Sequence, residues 1–242
     1  MLVDDKTLDI PAIEEVAVAL VDVFQPVASR HQFGLRAVVS TFMSSVPAEA
    51  RSVPADHADR LRWNAKYAGD FVPSFVPHPL AIRALSMDLP DGPLAELACG
   101  PSGAALLAAS NGRRVTAVDV SERALGMLGD KARHRGLDHL ITLVHADLST
   151  WRPEPRSYAV VLCTGFWASA VFTAAAEAVA ASGLLGWEAF TAQARRSRPS
   201  VQADWCLAPG EPASLLPSDF ALLDQHERSL KRQLLARRRF VP

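Results

Sequence analysis

The sequence predicts an α/β protein, a doubly wound and mostly parallel sheet behind an N-terminal helical extension. Three observations carry this. From about residue 58 onward, short apolar runs alternate with helical stretches, the pattern of a parallel sheet covered on both faces. The first 50 residues read as helix instead. The length, 242 residues with 49% apolar, allows one full domain with a large core plus an extension.

Along the chain, Asp9 is placed to cap a helix with Pro11 near its first turn and Glu14 and Glu15 close to its positive end. Ile13, Val16, Ala17, Leu20, Val21 and Phe24 recur at helical spacing until Pro26. A second helix is expected over 33–45, then a Pro/Ala/Ser-rich linker over 47–57. This divides the chain into an extension, 1–58, and a sheet domain, 59–242. The domain opens with a short polar helix (59–67), a proline-punctuated stretch (71–79) and a helix at 80–87. Strands are expected at 94–99, 114–119, 141–145, 158–164 and 184–190. Helices fall between them at 104–110, 122–135 and 170–181. Two late strands, 220–224 and 232–236, read as a short antiparallel pair on one edge.

Charge and cysteine usage exclude several classes. Lys plus Arg number 25 against 26 Asp plus Glu, which argues against a chain that grips nucleic acid by neutralising phosphates. The one basic cluster, Arg237 to Arg239 with Lys231 and Arg232 before it, reads as a solvated strand end. Cys99, Cys163 and Cys206 are too far apart for a Cys-x-x-Cys pair, and no His is spaced for zinc. They read as small buried hydrophobes in a reducing compartment, with no metal site. No run approaches the roughly 18 apolar residues of a membrane span. Asp4 and Asp5 precede any apolar stretch, unlike a secretory signal. The expectation is a soluble, cytoplasmic protein.

The chemistry concentrates after the first strand, in Glu96-Leu-Ala98-Cys-Gly100-Pro-Ser102-Gly103. Small residues there let backbone N–H groups approach a ligand at a helix N-terminus. Nineteen residues after Gly100, Asp119 ends the second strand, where an acid accepts two hydrogen bonds from a ribose diol. Asp147 ends the third strand and suits the amino group of an adenine, with Val120 and Leu148 as apolar walls. The plainer alternative makes both aspartates helix caps. A dinucleotide fingerprint would fall on Ala98, Gly100 and Gly103. Glu96 inside the strand end favours a ligand with an amino-acid end, whose ammonium it would meet directly or through water.

Glu96 to Gly100, followed by Asn111 to Ser121 (Asn-Gly-Arg-Arg-Val-Thr-Ala-Val-Asp-Val-Ser), resembles class I S-adenosylmethionine-dependent methyltransferases, particularly the tellurite-resistance-like small-molecule group. Trp63-Asn-Ala-Lys-Tyr67, Pro77-His-Pro79, Ala146-Asp147-Leu148, Gly183 to Glu188 and Leu207 to Glu211 add to the likeness. It spans about 62–239 and leaves the first 58 residues outside. The resemblance implies a Rossmann-like methyltransferase fold of seven strands with S-adenosylmethionine as cofactor. It implies contacts at Glu96, Ala98, Gly100, Asp119, Val120, Asp147 and Leu148, with Cys163 and Thr164 beside the methionine portion; Ser102 and Gly103, in the same loop, are expected cofactor contacts from their place in it. Ser102 stands where the family has glycine, and Gly103-Ala104 where it commonly has Arg-Asn. Trp63 and Tyr67 share a helix face. In the resembling enzymes this segment folds over the cofactor, where Lys66 or Arg62 meets its carboxylate. The alternative is that the two aromatics only pack the segment onto the sheet.

A sulfonium methyl is already activated, so an acceptor held in line at about 3–3.5 Å needs no universal catalytic residue. Candidate bases are His57, His78, His145 and Glu188, and His78, between two prolines in a loop bordering the site, is the preferred one. The fourth strand runs into Thr164-Gly-Phe166-Trp167, without the Asn/Asp-Pro-Pro-Tyr signature of base and glutamine N-methylation. Phe166, Trp167, Trp187 and Trp205 either line an aromatic pocket or pack the core. The expected function is methyl transfer to a small organic acceptor of secondary metabolism. No nucleic-acid or membrane partner is expected, and the N-terminal helices would serve as a lid or homodimer surface. Two alternatives stay open at this point. One is non-methylating use of S-adenosylmethionine, by aminocarboxypropyl transfer or cyclisation to an azetidine with release of methylthioadenosine. The other is a non-catalytic cofactor-binding protein. A nicotinamide oxidoreductase is more distant.

Overall fold

Five strands of mostly apolar residues run parallel and bring their carboxyl ends to one rim. In a computed structural model that describes residues 53–240, these are β1 (Leu94–Leu97), β2 (Val115–Asp119), β3 (Ile141–His145), β4 (Tyr158–Thr164) and β5 (Val179–Thr191). β7 (Phe220–Arg228) and β8 (Lys231–Arg238) complete the order β3-β2-β1-β4-β5-β8-β7, with β8 antiparallel to β5 and to β7. These are the seven expected strands. A two-residue strand, β6 (Cys206–Leu207), adds an eighth beside the end of β5. The helices expected before residue 46, and their role as lid or dimer surface, lie outside the described residues. Among the described residues, no helix is long and apolar enough to cross a membrane.

Register aligns the site. Leu97 pairs with Val118 on one side and Cys163 on the other, so the ends of β1, β2 and β4 stand nearly level, and β5 runs on past Glu188, the partner of Thr164, to Thr191. Helices α1 (Ala58–Lys66), α2 (Pro79–Leu85), α3 (Gly103–Ser110), α4 (Glu122–His134), α5 (Ser169–Ala178) and α6 (Ala194–Ser197) join or flank them. Side-chain caps start four of these: His57, His78, Ser102 and Ser121 each accept a first-turn N–H. One face of the sheet buries Leu80, Leu106 and Leu128. The other buries Trp167, Phe172 and Trp187, whose rings meet edge-on or tilted at 5.2–6.2 Å.

Four expectations are corrected. The helix expected to 181 stops at Ala178, and β5 starts at Val179 rather than at 184. The alanine-rich run satisfies helical periodicity, but pairing with β4 through a register shift overrides it. The late strands do form an antiparallel pair on one edge, with β7 outermost, but they are longer than expected, nine and eight residues. The basic cluster is not a solvated end. Arg238 is buried, ion-paired to Asp219 at 2.7 Å and donating to the carbonyls of Ala176, Glu177 and Val179, while Arg237 donates to those of Ser182 and Asp88. All three cysteines are unpaired, but only Cys163 is fully buried.

Candidate active site

A cavity of about 410 Å³ opens at the carboxyl rim, and the loop after β1 forms its floor. Ala98 and Gly100 there both take left-handed backbone, with φ of 49° and 57°. A Cβ at Gly100 would come within 3.1 Å of the Tyr67 hydroxyl. Asp119, ending β2, ties the loop down: Oδ2 accepts from Gly100 N at 2.7 Å and Oδ1 from Ser121 N at 2.8 Å. Burial raises its pKa, opposed by these backbone N–H groups. A carboxylate has about four acceptor sites, so two remain for donors in the cavity.

Asp147, just past β3, accepts from the backbone N–H and the hydroxyl of Ser149 and lies 3.3 Å from His57 Nε2. Desolvation pushes its pKa up, but those hydrogen bonds and His57 outweigh it and hold the carboxyl below its ordinary value. Val120, Ala146 and Leu148 supply apolar wall beside the two acids.

Helix α1 roofs the cavity with Trp63, Lys66 and Tyr67. The two rings stack at 6.1 Å, and the Lys66 ammonium stands 4.5 Å from one ring centre and 5.2 Å from the other. Burial lowers the Lys66 pKa, partly offset by Asp119. The roof is held from outside. Arg60 grips both oxygens of Glu122 with distances of 2.8–3.1 Å and also donates to the Val53 carbonyl, while Ser121 Oγ donates to Asn64 Oδ1 at 2.6 Å. Arg60 takes the Glu122 pKa down to about 2. On the far side, the Arg62 guanidinium lies 4.5 Å over the Trp205 ring, joining α1 to the segment after β5.

Of the residues singled out from sequence, Trp63, Lys66, Tyr67, Ala98, Gly100, Asp119, Val120, Asp147, Leu148 and Thr164 share this cavity. Four others stand behind its wall. Glu96, only 4% exposed, accepts from the Ser102 hydroxyl at 2.6 Å. Burial raises its pKa to about 7. Ser102 caps α3, taking the N–H groups of Ala104 and Ala105. Gly103 has a packing reason: a Cβ there would lie 2.3 Å from the Phe75 carbonyl oxygen and 2.6 Å from Pro77 N. Cys163 sits in the core, where burial pushes its thiol up. Sequence reasoning missed Phe190, Val201 and Lys231, which also line the cavity. Only the pairing of β5 with β8 brings Lys231 there, and no local signal marks it.

A family model described as a methyltransferase domain matches residues 94–183, the stretch that holds the floor and both aspartates. The chain carries a class I S-adenosylmethionine-dependent methyltransferase domain. S-adenosylmethionine is the cofactor of such a domain. No curated protein sequence matches the chain.

Solved structures share the methyltransferase fold at low identity. One, from work on the conversion of a disulfide bond into a thioacetal group during echinomycin biosynthesis, aligns over 75% of this chain and 93% of its own, with TM-score 0.58 and 17% identity. An S-adenosylmethionine-dependent methyltransferase from Mesorhizobium loti covers 65% and 96%, with TM-score 0.53 and 16% identity. Geranyl diphosphate C-methyltransferase from Streptomyces coelicolor, in complex with S-adenosylhomocysteine, covers 66% and 75%, with TM-score 0.51 and 11% identity.

The expected base does not reach the methyltransferase cavity. His78 Nδ1 accepts from Leu80 N at 3.2 Å and its Nε2 lies 3.3 Å from Glu188, so both nitrogens are engaged. Glu188 is buried against Lys231 and Gln233, and although burial alone would raise its pKa, these partners and His78 take it down to about 2. His145 turns to the Val120 carbonyl, and His57, on the wall, caps α1 and faces Asp147. Phe166 and Trp205 line the cavity, whereas Trp167 and Trp187 are core. Trp187 Nε1 donates to the Phe166 carbonyl at 3.0 Å and so steadies the loop that presents Phe166.

Proposed function

We propose that this domain transfers the methyl group of S-adenosylmethionine to a small organic acceptor of natural-product type, within the tellurite-resistance-like group its motifs resemble. The observation that carries the reading is one roofed cavity that joins Asp119 and Asp147 to an aromatic region at the ends of β4 and β5.

The residues fit the cofactor on their own chemistry. Asp119 keeps two acceptor sites for a ribose diol after holding Gly100 and Ser121. Asp147, next to Val120 and Leu148, takes the adenine amino group. Lys66, exposed but held over its two rings, meets the carboxylate. The left-handed turn at Ala98 and Gly100 lets the backbone come close. Glu96, hydrogen-bonded to Ser102, shapes that turn from behind. Bound S-adenosylmethionine supplies an activated methyl, so the chain's task is to align the acceptor and exclude water, which the α1 roof does. The unpaired cysteines fit a reducing, cytoplasmic setting.

Calorimetric titration with S-adenosylhomocysteine, followed by product analysis with S-adenosylmethionine and an acceptor panel, tests the reading. Micromolar binding and formation of S-adenosylhomocysteine are expected. Methylthioadenosine as the product would assign the site to a different transfer.

A further inference from the structure

The cavity has a second half that the cofactor leaves unassigned. Past Thr164 it runs to the rim of β5 and β8, where Phe166, Phe190, Val201 and Trp205 make an apolar, largely aromatic wall. Arg62 and Arg198 lie over the Trp205 and Phe190 rings without lining the cavity, and among the lining residues one cation breaks that wall. Lys231, the first residue of β8, stands opposite Phe190 in the sheet, with Nζ 5.4 Å from the ring centre. β8 lies three strand spacings from β1, roughly 14 Å, and one more from β2, too far to serve a nucleoside held at Asp119.

Lys231 is built into place. Its Nζ donates to Glu188 Oε1 at 2.5 Å, and Glu188 is 4% exposed. The other Glu188 oxygen accepts from the Gln233 amide and lies 3.3 Å from His78 Nε2. His78 is itself fixed as the cap of α2. An ammonium has three donors, so two remain for a ligand after Glu188 is served. The neighbouring cation, Lys66, lines the same cavity, and the two ammonium groups repel enough to depress the Lys66 pKa further. A cationic acceptor would meet both.

We infer that Lys231 is an acceptor-specificity residue that receives an anionic oxygen, carboxylate or phenolate, of a ring-bearing acceptor seated between Phe166, Phe190 and Trp205. This rests on the methyltransferase reading above. Glu188, Gln233 and His78 are positioning residues that aim the ammonium, which gives His78 a role without contact to the reacting atoms.

Calorimetry on the full chain saturated with S-adenosylhomocysteine tests this, using ring carboxylic acids, each with and without a phenolic hydroxyl, and their primary amides. The acids bind at least tenfold more tightly than the amides. Lys231→Met removes that preference, Lys231→Arg keeps most of it, and both bind S-adenosylhomocysteine within threefold of the parent, which shows that they fold. His78→Asn keeps a capping side chain but loses Glu188, so it lowers affinity for the acids a few fold and leaves the amides unchanged. Equal binding of acids and amides, no binding of any acid, or a preference that survives in Lys231→Met overturns the inference. Failure of S-adenosylhomocysteine to bind the parent, seen in the first titration, overturns the methyltransferase reading along with it.

Discussion

The Ser102 hydroxyl donates to Glu96 at 2.6 Å while accepting the N–H groups of Ala104 and Ala105, so one side chain both caps α3 and holds a buried carboxyl at the end of β1. Desolvation raises the Glu96 pKa to about 7, against the lowering effect of Ser102 and the Ala105 N–H. The folded protein therefore keeps a proton that the unfolded chain loses near its ordinary value of 4.5. Between those values the folded state binds more protons, and stability falls as pH rises. Glu96→Gln should match the parent near pH 4.5 and exceed it above pH 7, by on the order of 1–3 kcal/mol. Urea titrations at pH 5 and 8 check this, and parallel curves for the two proteins would contradict it.

Asp119 secures two buried N–H groups, and its loss strands both. Asp119→Ala should cost about 2–4 kcal/mol, from two donors left without acceptors. Asp119→Asn keeps one acceptor oxygen and should fold better, yet bind S-adenosylhomocysteine at least tenfold more weakly. Chemical denaturation and calorimetry on the same pair separate stability from binding.

Gly103 and Gly126 make an internal control. At Gly103 an added methyl meets the backbone of Phe75 to Pro77, so Gly103→Ala should destabilise by about 1–3 kcal/mol. At Gly126, inside α4, nothing lies within 4 Å, and Gly126→Ala should stabilise by about 0.5–1 kcal/mol. Midpoints of unfolding that move in the same direction would refute the close approach of the proline-rich strap to α3.

Ala98 is a methyl-bearing residue in a left-handed turn, at φ 49°. Relief of that strain, about 1–2 kcal/mol, exceeds the entropic cost of glycine, about 0.5–1 kcal/mol. Ala98→Gly should therefore raise stability slightly, by about 0.5 kcal/mol, and leave S-adenosylhomocysteine affinity equal or better. A clear loss in thermal midpoint would show that the methyl is needed for packing.

The floor of the site was legible because its information is local. A parallel strand, a small-residue turn and an acid at the next strand end lie within 25 residues, so Gly100 and Asp119 could be placed from spacing alone. Gly103 stood out for the right feature and the wrong cause, since the chain that crowds it lies 26–28 residues upstream. His78 and Glu188 looked like bases because nothing local shows that they are each other's partner across 110 residues, nor that Lys231 and Gln233 join them. The start of β5 was hidden for a different reason: alanine runs carry no period that separates helix from strand.

Two of the five tryptophans, Trp63 on α1 and Trp205 beyond β5, line the cavity, each with a cation over its ring. A ligand that touches either ring displaces solvent or charge from an indole. The molecule thus contains its own optical reporter, and occupancy can be followed by emission without a label. Trp63→Phe and Trp205→Phe would tell which wall a given compound touches.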